Sequence, residues 1–87
     1  NIDLAAGHGR VLALTPLTVT GARSRRPGHE LRHLPAGTAW GHTSPDAAAR
    51  RAFGRDPLAV TRVQDAAAHG RRQGREVSDA VAALWAP

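Results

Sequence analysis

The sequence predicts a mainly α fold of the α+β type: a short N-terminal β segment followed by three to four helices. Three observations point there. β-Branched and leucine residues concentrate between residues 10 and 20, helix start and stop signals recur from residue 29 onward, and alanine supplies much of the 41% apolar content. Alanine favours helix but buries little area. The 87 residues suffice for one small domain. It is read as residues 1–28, a β segment with an arginine-rich loop, and residues 29–87, a helical part. A chain of this size buries only about 60–65% of the surface it exposes when unfolded. Help from a second copy or a neighbouring segment is therefore expected.

Residues 10–20, "RVLALTPLTVT", carry Val11, Ala13, Leu17 and Val19 on one parity, the pattern of a strand with one buried face. Pro16 lacks a ladder donor and demotes this strand to an edge or a bulge. "GARSRRPG", residues 21–28, reads as a loop by its glycines and Pro27. A first helix is expected from His29 to about Trp40, with Pro35 and Gly37 inside it. Ser44-Pro45-Asp46 supplies a hydroxyl cap, a first-turn proline and an acid at the positive end of a helix dipole. That helix should stop at Gly54. Asp56-Pro57 repeats the start signal for a helix reaching Gly70, and "GRRQG", residues 70–74, reads as a turn. Val77, Ala80, Val81, Leu84 and Trp85 then form the apolar stripe of a C-terminal helix. Trp40 and Trp85 are expected to be core anchors. No internal repeat is present.

All twelve cations are arginine, against seven acids, for a net charge of +5. A coding preference accounts for arginine over lysine better than for the excess. Guanidinium groups pair with phosphate through two parallel hydrogen bonds, so DNA is the expected partner. Cysteine is absent, which excludes a disulfide framework and thiolate metal sites. No run approaches the roughly 18 apolar residues of a membrane span, and nothing resembles a secretion signal, so no membrane partner and a cytoplasmic location are expected. Methionine is also absent, which suggests that residue 1 is not a translational start.

"HELRH", residues 29–33, admits two chemistries. His-Glu-x-x-His on a helix is a zinc-peptidase pattern, in which two histidines hold the metal and the glutamate activates water. On that reading His29 and His33 would be ligands, with His42 as the third. Arg32 beside the second ligand and Pro35 just beyond it oppose this reading. Alternatively, Arg32 holds an anionic phosphate oxygen and His29 moves a proton.

On that second reading "HELRH" resembles the His-x-Leu-Arg-His box of the tyrosine recombinases, the phage-integrase superfamily. Further on, "AFGRDPLAVTRVQDAA", residues 52–67, is similar to the family's apolar-Gly-His segment and the run that leads to its nucleophilic tyrosine. "TSPDAAARR", residues 43–51, falls where the family has a turn and short helix. "GREVSDAVAALW", residues 74–85, resembles the terminal helix that its members dock on a neighbouring protomer. The resemblance covers about residues 27–85. It implies phosphate contacts by His29, Arg32 and Arg55, the last standing where the family has a second histidine. Gln64 occupies the nucleophile's position and the chain has no tyrosine. An amide cannot attack phosphorus, so a covalent DNA–protein intermediate is excluded. The implied activity is non-catalytic DNA binding or assembly, without a cofactor, and with a homo-oligomer or a recombinase-like partner engaged through the last helix.

Two arginine sets are candidate backbone contacts: Arg23, Arg25 and Arg26 in the first loop, and Arg71, Arg72 and Arg75 in the 70–74 turn region. Residues 66–85 also faintly resemble a helix-turn-helix, with their apolar anchors one place late. Two packed helices joined by an arginine-rich turn would give the same pattern. A protein-interaction or dimerisation module burying Leu84 and Trp85 is the alternative function, and a small zinc hydrolase is a third.

Overall fold

The computed structural model describes residues 1–17, 22–56 and 58–87. Its element order is mainly helical, with two short strands near the N-terminus and three α-helices among the described residues. The chain divides into two compact units, residues 1–44 with 80–87, and residues 45–79.

In the first unit a 3-10 turn, Ile2–Ala5, precedes strand β1, Arg10–Leu14. β1 pairs in parallel with β2, Ala39–Thr43, in the register Arg10↔Ala39 through Leu14↔Thr43. The ladder is closed at its ends by Ala39 N–H donating to Gly9 O at 2.9 Å and Thr15 N–H donating to Thr43 O at 3.0 Å. Parallel strands need a long crossover. Here it holds the 3-10 turn Arg23–Arg25 and helix α1, Pro27–Arg32. β1 is shorter than the 10–20 run suggested, because Pro16 cannot donate to a ladder. Ala13 is buried and Val11 half-buried on the expected parity, whereas Leu17 is exposed. Val19, the last residue of that parity, lies outside the described residues.

The expected helix from His29 to Trp40 is corrected at both ends. It begins at Pro27, whose fixed φ suits the first helical position. It ends at Arg32, because Pro35 has no N–H and biases Leu34 away from helical geometry. Gly37 turns the chain at φ +90°, and Thr38 N–H bonds back to Pro35 O at 3.1 Å. Trp40 thus lies on β2 and is 41% exposed, and Trp85 is 47% exposed, so neither is a core anchor. Gly41 is the close-packed position of β2. A Cβ there would stand 3.5 Å from both Leu12 Cδ1 and Leu84 Cδ2.

In the second unit helix α2 spans Ala47–Phe53. Its cap is Asp46, whose Oδ1 accepts from Ala49 N–H at 2.8 Å; Ser44, the expected cap, lies two residues too early. Gly54 closes the helix at φ +69°, as its sequence position implies. Asp56 Oδ1 accepts from Leu58 N–H at 2.9 Å, but no α-helix begins there. A 3-10 turn, Val60–Arg62, leads into helix α3, Val63–Trp85. Pro57, part of the expected start, lies outside the described residues.

α3 runs unbroken through Gly70 and Gly74, which overturns both the 70–74 turn and the helix-turn-helix. A glycine lowers helix propensity by about 1 kcal/mol relative to alanine without stopping the helix. Arg71, Arg72 and Gln73 between the two glycines are good helix formers. The half-buried stripe Ala66, His69, Gln73, Val77, Val81 and Leu84 keeps helical spacing across the supposed turn.

The apolar interior is small. Among the described residues only Ala13, Leu31 and Ala49 are buried apolar side chains, and Leu31 alone is fully enclosed.

Candidate functional site

α1 presents the 29–33 box. It packs against the opening 3-10 turn, the Arg23–Arg25 turn and β2. Leu31 points into this packing, which turns His29, Glu30 and His33 toward a cavity of about 230 Å³ shared with Asp3, Ser24 and Leu34. The His29 and His33 rings stack at 4.2 Å with 26° between their planes. His33 Nδ1 lies 2.8 Å from His29 O. A carbonyl can only accept, so Nδ1 carries a proton and donates it to this bond.

Arg32 does not line this cavity. It is exposed, with its Nη1 3.6 Å from the position a Cβ would take at Gly28. His29 and Arg32 are therefore not brought to one cavity. The cavity's carboxylates, Asp3 and Glu30, lie 3.3 and 3.6 Å from the Asn1 ammonium, and no arginine lines the cavity. Arg55, the third residue of the recombinase-like set, belongs to the second unit and is exposed.

The metal reading requires a third ligand. Among the described residues no three His, Cys, Asp or Glu side chains are grouped to hold an ion. His42 lies on β2 with its Nε2 2.6 Å from Thr15 Oγ1.

The two arginine sets fare differently. Arg23 and Arg25 are exposed on their 3-10 turn, while Arg26 is half-covered and its buried Nε has no hydrogen-bond partner. On α3, Arg71 and Arg75 are exposed. Arg72 is not available as a phosphate contact. Its Nη2 donates to Asp46 Oδ1 and Oδ2 at 3.0 and 2.8 Å, and its Nη1 to Glu76 Oε1 and Oε2 at 2.9 and 2.8 Å. Gln73 Oε1 accepts from Asp46 N–H at 3.1 Å, completing a polar clamp between the start of α2 and the middle of α3. The Ala49 N–H, and then Arg72, hold the Asp46 carboxyl below its usual range, and Asp46 followed by Glu76 raises the Arg72 guanidinium in turn.

Sequence reasoning missed this clamp. The Arg72–Glu76 half was visible as an i,i+4 pair, but only on a helix continuous through Gly74. The Asp46 half is tertiary and had no local signal. Three other arginines serve carbonyls: Arg10 Nη2 lies 3.5 Å from Ala86 O, Arg50 Nη1 donates to Pro45 O at 2.7 Å, and Arg62 lies against Gly54 with Nη1 3.5 Å from Ala52 O.

No helix among the described residues is long and apolar enough to cross a membrane. Comparison with protein-family profiles, with curated proteins and with solved structures returns no match.

Proposed function

We propose that the chain is a non-catalytic DNA-binding module that holds the phosphate backbone through unpaired arginines. One observation carries this reading: among the described residues, Arg72 alone of the twelve arginines is ion-paired with a carboxylate. The excess of five positive charges is thus carried by guanidinium groups that no acid neutralises. Arg23 and Arg25 in one unit and Arg71 and Arg75 in the other are exposed and suit bidentate contact with phosphate oxygens. The recombinase-like order of residues 29–33 belongs to the same proposal as a relationship in sequence, while the phosphate contacts themselves fall on the exposed arginines. A chain without tyrosine binds on this account and does not cut.

The test is the affinity for a fluorescently labelled DNA duplex, measured by anisotropy across a salt series. Each phosphate contact steepens the log–log slope by about 0.9, so four contacts predict a slope near −3.6. Absence of binding at low salt, or a flat salt response, overturns the reading.

A second reading, self-association, has its own support. Leu4, Leu14, Leu58 and Val60 are each more than two-thirds exposed, while only three apolar side chains are buried among the described residues. Apolar exposure on this scale beside so small an interior favours a protein partner. Sedimentation equilibrium tests it: a concentration-dependent dimer supports the reading, and a monomer throughout the millimolar range opposes it.

A further inference from the structure

The outward side of α3 between residues 64 and 78 has an unusual make-up. At 100° per residue, Gln64, Ala67, Gly70, Arg71, Gly74, Arg75 and Ser78 fall on one continuous arc, and all are exposed. The arc holds no carboxylate. Asp65 and Glu76 lie on the flank turned toward Arg72, and Asp79, one turn past Arg75, is not ion-paired with it. Arg71 and Arg75 stand one turn apart, a rise of about 6 Å along the helix, close to the separation of neighbouring phosphates on one strand.

Beside this pair lie Gly70 and Gly74, inside a helix of 23 residues. A Cβ added at either glycine would meet nothing within 4 Å. The chain itself therefore gives no packing reason for two residues that weaken a helix. Glycine of this kind also serves where something outside the chain approaches the backbone closely.

We infer that this arc of α3, with Arg71 and Arg75 beside the side-chain-free positions Gly70 and Gly74, lies directly against the phosphate backbone of a nucleic-acid duplex. The inference rests on the DNA-binding reading above and adds to it the surface used and the closeness of approach. The occupant follows from charge complementarity: the arc is cationic and holds no carboxylate. The two guanidinium groups engage successive phosphates, and the missing side chains let the sugar–phosphate chain descend to the helix surface.

The experiment compares the full chain with Gly70→Ala/Gly74→Ala and Arg71→Ala/Arg75→Ala. Helicity and melting are followed by circular dichroism, and duplex affinity by anisotropy. The glycine variant is expected to melt higher than the parent yet bind the duplex at least fivefold more weakly, a combination that general destabilisation cannot produce. The arginine variant is expected to keep its fold and lower the salt slope by about 1.8, two contacts of about 0.9 each. Should either variant fold poorly, Arg71→Gln/Arg75→Gln provides the same loss of charge with helix-forming side chains.

A glycine variant that binds as tightly as the parent overturns the inference, as does an unchanged salt slope in the arginine variant. In both cases parental duplex binding leaves the general reading standing. If the parent itself fails to bind, both proposals fall. Vesicles rich in phosphatidylserine form the control arm: loss confined to vesicles, with duplex binding intact, also overturns the inference.

Discussion

The segment leading into α1 and the middle of α3 are both rich in arginine, yet they use it in different ways. Residues 23–32 hold Arg23, Arg25, Arg26 and Arg32 with one acid, Glu30, and none of these arginines is ion-paired among the described residues. Residues 69–76 hold Arg71, Arg72 and Arg75, and the central one is clasped by two carboxylates. Order comes from different sources too. The first unit is organised around one enclosed leucine, Leu31, and the second around the Asp46–Arg72–Glu76 clamp. A charge count alone cannot separate arginines that hold a fold together from arginines that face outward. Helix phase and a carboxylate within reach decide it.

The largest expected effect breaks the apolar half of this comparison. Leu31→Ala removes the one fully buried side chain and should cost about 2–5 kcal/mol, comparable with the whole stability of a small domain. Amide hydrogen exchange should show β1, β2 and α1 losing protection while α2 and the first half of α3 keep theirs. Equal loss in both units would mean that the two are not separately organised.

Next in size is the polar half. Arg72→Ala leaves Asp46 and Glu76 without their shared partner and should lower the melting midpoint by several degrees, measured by circular dichroism. Arg71→Ala, one residue away, should leave it unchanged. Similar shifts for both would deny the clamp its role.

A smaller effect is acid sensitivity. The Asp46 carboxyl is held below its ordinary range, first by the Ala49 N–H and then by Arg72. A depressed folded-state value means that its contribution is complete above the unfolded value, about 3.9, and fades as pH falls through the lower folded value. Helicity should therefore decline below about pH 4 through this group, and Asp46→Asn should remove that part of the decline. The smallest effect concerns Gly41. A Cβ there would make ordinary contact with Leu12 and Leu84 at 3.5 Å, so Gly41→Ala should change stability by no more than about 0.5 kcal/mol in a denaturant titration.

The legible parts of the fold had local causes. The shared parity of Val11 and Ala13 marked β1, Gly54 marked the end of α2, and the stripe from Val77 to Leu84 marked the last part of α3. The partner strand 39–43 was hidden because "AWGHT" is too short for its alternation to stand out from a helical pattern, and parallel pairing is a long-range choice. The continuity of α3 was obscured by two glycines that usually punctuate a chain, and although the Arg72–Glu76 spacing spanned the supposed turn, the helix face that crosses it carries His69 and Gln73, not apolar residues. At the candidate site, the sequence pointed to α1 and to both arginine sets. It did not reveal that His29 turns to a cavity without Arg32, since Leu31, buried beneath, fixes how the helix is rotated. Nor did it reveal that Arg72 is taken by Asp46, a residue 26 positions away.

The most direct measurement of the central claim is a pair of salt titrations of duplex affinity, one on Arg23→Ala/Arg25→Ala and one on Arg72→Ala. If unpaired guanidinium groups carry the binding, the first variant lowers the slope by about 1.8 and the second leaves it at the parental value. A parental slope in the first variant, or a slope reduced in the second while its fold is intact, would contradict the account.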